Sequence, residues 1–168
     1  SRGKAGVSPA VRSEALNAAG ILAADQGDYG PAIERLEESL AIHRELDNRQ
    51  GMACVSSNLA LVWKDRGAFD RAQALFEESL RIQQECDNRA GIAASLGNLG
   101  NLAMDRGDLA AAREFFEKSL ALQRELGDQW GIAAALNNLA SVHRVNGRVS
   151  EARALLEEAL ALSRETGN

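Results

Sequence analysis

Apolar residues recur along this chain at the three- and four-residue spacing that puts side chains on one face of a helix. Ile33, Leu36 and Leu40, with Ile42 or Leu46, mark one such stripe, and Leu96, Leu99, Leu102 and Ala103 mark another. The stripes are punctuated by Gly27, Gly67, Gly107 and Gly147, which fall at steps of 40 residues. Each glycine sits in a similar phrase: Asp25-Gln26-Gly27-Asp28-Tyr29, Asp65-Arg66-Gly67-Ala68-Phe69, Asp105-Arg106-Gly107-Asp108-Leu109 and Val145-Asn146-Gly147-Arg148-Val149. Three further columns keep the same step: Ala32, Ala72, Ala112 and Ala152; Leu36, Phe76, Phe116 and Leu156; Leu40, Leu80, Leu120 and Leu160. A fourth column, Asn58, Asn98 and Asn138, is missing only from the first repeat. Agreement in this many columns at one period is the signature of a repeat protein.

Each repeat reads as a helix A, a tight turn at the glycine and a helix B. The pattern predicts A helices over about 9–26, 50–66, 90–106 and 130–146, and B helices over about 29–46, 69–86, 109–126 and 149–166, with boundary errors of about two to four residues. A glycine just after helix A can take a positive φ, where a Cβ would be strained. Small residues such as Ala72 and Ala112 let helix B approach helix A closely. Ser8-Pro9 has the form of a helix start, cap followed by proline in the first turn. Asp47-Asn48, Asp87-Asn88 and Gly127-Asp128 are expected to close the B helices, through the tolerance of Asn and Gly for the left-handed conformation. The domain reading is a short segment at 1–7, expected to be flexible, and one repeat domain over 8–168, divided at about 8–47, 48–87, 88–127 and 128–168.

Composition narrows the partners. The chain of 168 residues is 45% hydrophobic and 26% charged, a globular rather than a disordered balance. Ala, Leu, Glu, Arg and Gln dominate, and only Pro9 and Pro31 interrupt them, so an all-α protein is expected. A net charge of −5 and 4% aromatic residues offer neither a phosphate-binding field nor a base-stacking surface, which argues against nucleic acid. The apolar runs are too short to cross a bilayer and no secretory leader is visible, so no membrane partner is expected and the location is read as cytoplasmic. Cys54 and Cys86 are too few and too far apart for a metal knuckle or a disulfide framework, and are read as reduced thiols.

The columns resemble those of the tetratricopeptide repeat (TPR) family, whose signature is a Leu-Gly pair in helix A and an Ala followed four residues later by an aromatic in helix B. Leu99-Gly100 with Ala112 and Phe116 carries it most fully; Leu59-Ala60 with Ala72 and Phe76, and Leu139-Ala140 with Ala152 and Leu156, follow it. The resemblance runs from about residue 8 to the end. One departure is systematic: where the family has a helix-ending proline, this chain has Arg44, Gln84 and Arg124, so helix B continues and the period is 40 rather than the usual ~34. Long repeats of this kind resemble those of kinesin light chains, in phrases such as Asn58-Leu59-Ala60-Leu61-Val62, and those of bacterial signal-transduction ATPases and regulators, in Gly131-Ile132-Ala133-Ala134-Ala135-Leu136-Asn137-Asn138-Leu139.

The resemblance implies a right-handed α-solenoid of four TPR helix–turn–helix repeats, with A helices lining a concave groove suited to an extended peptide or a partner helix. Asparagine offers both a donor and an acceptor, so a ladder of Asn58, Asn98 and Asn138 could pair with a peptide backbone; the same residues could instead satisfy backbone groups between repeats. Leu61, Asn101 and Ser141 lie one turn further on the same face, and Lys64 and Arg144 a further turn, where they would meet an acidic group or stay solvated. Trp63 is read as core, and Trp130 as edge packing ahead of an exposed anchor. The pairs Glu37-Glu38, Glu77-Glu78 and Glu157-Glu158 are read as a solvated outer face rather than acid–base dyads. His43 and His143 are isolated, and no phosphate-binding loop, HExxH or GxSxG motif is present. The expectation is therefore a non-enzymatic binding scaffold, with no cofactor or metal, drawn from a larger protein. The alternative is a ligand-sensing module of a multidomain bacterial signal-transduction ATPase or transcription regulator. The sequence closes at Glu165-Thr166-Gly167-Asn168, where a further repeat would begin, so an exposed apolar end is expected, with self-association or further repeats in the parent.

Overall fold

The computed structural model describes residues 8–165; the expected flexible segment at 1–7 and the last three residues lie outside them. Among the described residues eight helices follow one another: α1 (Pro9–Asp25), α2 (Tyr29–Glu45), α3 (Arg49–Asp65), α4 (Phe69–Glu85), α5 (Arg89–Asp105), α6 (Leu109–Leu126), α7 (Gln129–Val145) and α8 (Val149–Glu165). No strand occurs among the described residues. The odd-numbered helices are the A helices and the even-numbered ones the B helices, so the fold is all-α with four helix–turn–helix repeats, and the helix ends fall within a residue or two of those expected.

Both kinds of turn are built by backbone geometry that the sequence marks. After α1, Gly27 takes φ 81° and the next amide, Asp28, donates back to the Ala23 carbonyl at 2.8 Å, closing the helix. The turns after the B helices work the same way, with one correction to expectation. The left-handed residues there are Asp47 (φ 48°), Asp87 (φ 49°) and Gly127 (φ 68°), not Asn48 and Asn88. The asparagines begin the next helix instead of ending the last. Asn48 and Asn88 accept from the amides of Gly51 and Gly91 at 3.0 and 3.1 Å, capping α3 and α5. Asp128 caps α7 similarly, through Gly131 N at 3.0 Å. Such a cap is worth ~1 kcal/mol.

The chain forms two compact units, dividing after Ile82 near the end of α4. The core of the first gathers Leu36 and Leu40 of α2 with Val55, Leu59 and Val62 of α3, edged by Tyr29 and Trp63. That of the second gathers Phe116 and Leu120 of α6 with Ile132, Leu136, Leu139 and Val142 of α7. The A–B approach within a repeat depends on a missing side chain. A Cβ on Gly100 would stand 2.5 Å from Phe116 Cε1, and one on Gly20 2.7 Å from Leu36 Cγ. Phe116, at 1% exposed, owes its burial to that gap.

A buried hydrogen bond recurs with the repeat. The hydroxyls of Ser39, Ser79 and Ser119 on the B helices donate to the carbonyls of Ser13, Ala53 and Ala93 on their A helices, at 2.8, 2.9 and 2.8 Å. The fourth repeat has Ala159 in this column. The column faces of the last B helix are open: Leu156 is 44% and Leu160 56% exposed, where Leu36, Phe116 and Leu120 are buried.

Candidate functional site

The eight residues singled out on the A helices divide between the units, Asn58, Leu61 and Lys64 in the first and Asn98, Asn101, Asn138, Ser141 and Arg144 in the second. The first three converge. Helical spacing puts them on successive turns of α3, and with Ile21 and Asp25 of α1 they line a shallow recess of about 280 Å³. Its walls are mixed: Leu61 and Ile21 present exposed apolar surface, Asn58 an amide, and Lys64 an ammonium 3.3 Å from the Asp65 carboxylate. An opening of this composition can hold an apolar side chain while pairing the backbone or charge beside it.

Asn58 is half-buried, and its amide nitrogen donates to Asn17 Oδ1 on α1 at 2.9 Å. Here the residue ties two repeats together. Asn17 was not singled out from the sequence because it lies one position ahead of the asparagine column, in the repeat from which that column is missing. Asn98 and Asn138 are also half-buried. In the repeats before theirs the equivalents of Asn17 are Ser57 and Gly97, so this amide pair belongs to the first two repeats alone. In the second unit Asn101 and Arg144 are exposed, and the Ser141 hydroxyl turns back onto the Asn137 carbonyl at 3.1 Å within its own helix.

The two tryptophans differ from expectation. Trp63 borders the core, but it is only half-buried. Arg71 and Arg66 stack over its ring, 4.4 and 5.3 Å from the centroid, so its outer surface is covered by guanidinium rather than by a helix. It floors a second recess, about 490 Å³, between α2 and α4, with Leu40, Arg44, Arg71 and Leu75 around it. Trp130 does not pack at an edge: it is 76% exposed, at the second position of α7.

The B helices carry ion pairs on their surface. Arg44 reaches Glu78 at 3.2 Å and Arg124 reaches Glu158 at 2.7 Å, each joining the B helices of neighbouring repeats, while Arg12 pairs with Glu38 inside the first repeat. Lys118 holds the Glu114 carboxyl below its ordinary pKa, first by a hydrogen bond at 2.6 Å and then by its charge. These pairs lie at the surface, where solvent screens them, so they add little to stability. Among the described residues no group of three His, Cys, Asp or Glu is placed to hold a metal ion, and both cysteines are free and exposed. No helix there is long and apolar enough to cross a membrane.

Models described as tetratricopeptide repeat match residues 13–46, 51–125 and 91–165. No curated protein matches the sequence. Among solved structures, BtubC (BKLC) from P. vanneervenii is similar at 23% identity with a TM-score of 0.84, over 99% of this chain and 69% of that one. A Podosopora anserina protein of nearly identical, kinesin-light-chain-type TPR-like repeats is similar at 24% identity and a TM-score of 0.77, over 95% and 78%. A Rap protein solved in complex with Competence and Sporulation Factor is similar at 16% identity and a TM-score of 0.86; the match covers 94% of this chain and 44% of that protein.

Proposed function

The chain belongs to the tetratricopeptide repeat family, and from that premise we propose that it is a non-enzymatic scaffold that binds a protein or an extended peptide through its A helices. The observation that carries this is the α1–α3 recess, where Asn58, Leu61 and Lys64 meet Ile21. An apolar side chain of the partner would enter between Ile21 and Leu61, and an acidic group would pair with Lys64. On this reading Asn98 and Asn138, with Asn101, Ser141 and Arg144, offer a partner contact of the same kind within the second unit. The acidic charge balance sets aside nucleic acid, and the setting is cytoplasmic. The test is a peptide array probed with the chain and with an Asn58→Ala/Asn98→Ala/Asn138→Ala variant shown to be folded by circular dichroism. Peptide binding that is weakened in the variant supports the reading; unchanged binding sinks the asparagine ladder. A Leu61→Asp variant that binds as well as the parent would remove the recess itself from the argument.

The alternative, a ligand-sensing module within a multidomain signal-transduction ATPase or regulator, is supported by the likeness to the Rap protein, which was solved with its factor bound. A nucleotide-binding domain in the parent gene would favour it.

A second partner reading, self-association, has its own support. At the junctions inside each unit a large side chain near the end of one B helix meets a glycine on the next A helix: His43 meets Gly51, and Gln123 meets Gly131. At the two ends of the chain these sizes are exchanged, with Ser163 on α8 and Val11 on α1. The ion pair that joins B helices also has both members there, Arg164 and Glu38, as in Arg44–Glu78 and Arg124–Glu158. An α8 face carrying exposed Leu156 and Leu160 would dock on the α1 face of a second copy carrying Leu22. Such a head-to-tail contact is heterologous. Leu22→Glu and Leu160→Glu chains should each sediment as monomers, and their mixture as a one-to-one dimer. Dimers of either variant alone would refute this arrangement.

A further inference from the structure

Between the first turns of α6 and the last turn of α7, the second unit holds a recess of about 190 Å³ that lies on neither face used above. Arg113, His143, Asn146 and Arg148 line it, over Leu109 and Val142. Eighty residues earlier, in the first unit, these positions are Ile33, Trp63, Arg66, Ala68, Tyr29 and Val62. There the crevice is part of an apolar cluster: Ile33 and Val62 are buried, and Tyr29 and Trp63 pack against them. The later repeats thus keep the crevice and change its chemistry. Histidine in place of tryptophan vacates volume, and Ile33→Arg113 and Ala68→Arg148, read as the repeat's own substitutions, bring two guanidinium groups to the rim.

The arrangement is fixed by backbone. The turn after α7 closes with the Arg148 amide donating to the His143 carbonyl at 2.9 Å and the Asn146 amide to the Val142 carbonyl at 3.1 Å, so three of the four polar residues are held in one hydrogen-bonded turn. His143 Nδ1 is shut off from solvent with no hydrogen-bond partner. Arg113 is held only by a 3.5 Å, half-exposed pair with Glu117. Arg148 stands at the position before a B helix that Asp28 and Asp108 occupy in other repeats, so the sign of that position is reversed here. Two guanidinium groups, an imidazole and an amide around a recess of this size suit an anion with several oxygens.

We propose that this recess binds a phosphate group, free or carried on a phosphorylated side chain of a partner. The experiment is an amide NMR titration of the whole chain with inorganic phosphate, against potassium chloride at matched ionic strength. Saturable shifts at Asn146, Gly147 and Arg148, absent with chloride, are expected. Arg148→Asp, which restores the residue of the first and third repeats, should weaken binding more than tenfold. His143→Trp, which refills the crevice as Trp63 does, should abolish it; Arg113→Gln serves the same purpose if that variant does not fold. A phosphoserine peptide that binds at least tenfold more tightly than inorganic phosphate, with its unphosphorylated form inert, identifies the source as a phosphorylated partner; equal affinities identify it as free phosphate. Shifts that grow linearly, match those with chloride or persist undiminished in Arg148→Asp overturn the proposal.

Discussion

Replacing Gly51 by alanine tests how tightly one repeat is fitted to the next. Taken alone, the change should stabilise the chain, because glycine in a helix is ~1 kcal/mol worse than alanine. Its neighbour reverses the sign. A Cβ at Gly51 would lie 2.3 Å from His43 Nδ1, 2.4 Å from Cε1 and 2.7 Å from Cγ, so it strikes one edge of the imidazole along its length. His43 is 6% exposed, and a rigid ring buried to that degree can escape only by displacing its own neighbours. Overpacking costs ~1–3 kcal/mol, and a 2.3 Å approach to a buried rigid ring belongs in the upper half of that range, ~2–3 kcal/mol, which exceeds the helix gain and leaves Gly51→Ala destabilising by ~1–2 kcal/mol. The cause is isolated by repeating the change in a His43→Ser background, the residue that the last repeat places at this position as Ser163. With the ring gone, the helix term alone remains and Gly51→Ala should stabilise by ~0.5–1 kcal/mol, a coupling of ~2 kcal/mol between the two sites. Urea unfolding followed by far-UV circular dichroism measures all four chains. A wild-type-background Gly51→Ala that is neutral or stabilising, or two changes that simply add, would falsify the claim that His43 dictates glycine here.

Other outcomes follow from burial and hydrogen bonding. Phe116→Ala should cost ~3–5 kcal/mol in the same assay, whereas Leu156→Ala, in the same column but 44% exposed, should cost less than about half of that. Ser79→Ala should cost ~1 kcal/mol by removing the 2.9 Å bond to the Ala53 carbonyl, and a cost above ~2 kcal/mol would show that the helix carbonyl has no other partner. Glu114, with its pKa lowered by Lys118, should titrate below an ordinary glutamate by carboxyl NMR, and Lys118→Met should return it. Because the folded-state pKa is the lower one, the stabilisation from this pair is present above the unfolded carboxylate pKa and fades as pH falls through the folded value.

Much of the architecture is legible in the sequence because each repeat restates it. Gly27, Gly67, Gly107 and Gly147 mark a backbone conformation, the left-handed close of a helix, and Leu36, Phe76 and Phe116 mark a buried stripe; both are local properties that a column preserves. What is less legible are pairings between residues that no local period links. Ser39, Ser79 and Ser119 look like ordinary helical serines until their 26-residue reach to an A-helix carbonyl is known. Asn58 belongs to a visible column, yet its partner Asn17 lies outside that column. Trp63 is recognisably a packing aromatic, but whether its outer surface is closed by a helix or by Arg66 and Arg71 depends on side chains that vary between repeats.

The same reasoning indicates where binding chemistry should be sought. A position that keeps its residue across most repeats is constrained by the stack, even where its partner changes from repeat to repeat. Asn58 shows the limit of reading function from such a column: its amide nitrogen is engaged within the fold, which leaves its acceptor oxygen for a partner without breaking that bond. A position that departs from its column is free of that constraint. In the first unit apolar groups fill the positions of Ile33, Trp63 and Val62, whereas the second unit keeps its core with Val142, Leu139 and Phe116 and carries Arg113, His143 and Arg148 at the rim. Packing does not call for two cations at that rim, and exposed ion pairing explains only Arg113, weakly. The departures from the repeat, rather than its most regular column, are therefore where this scaffold differs from a bare stack of helices.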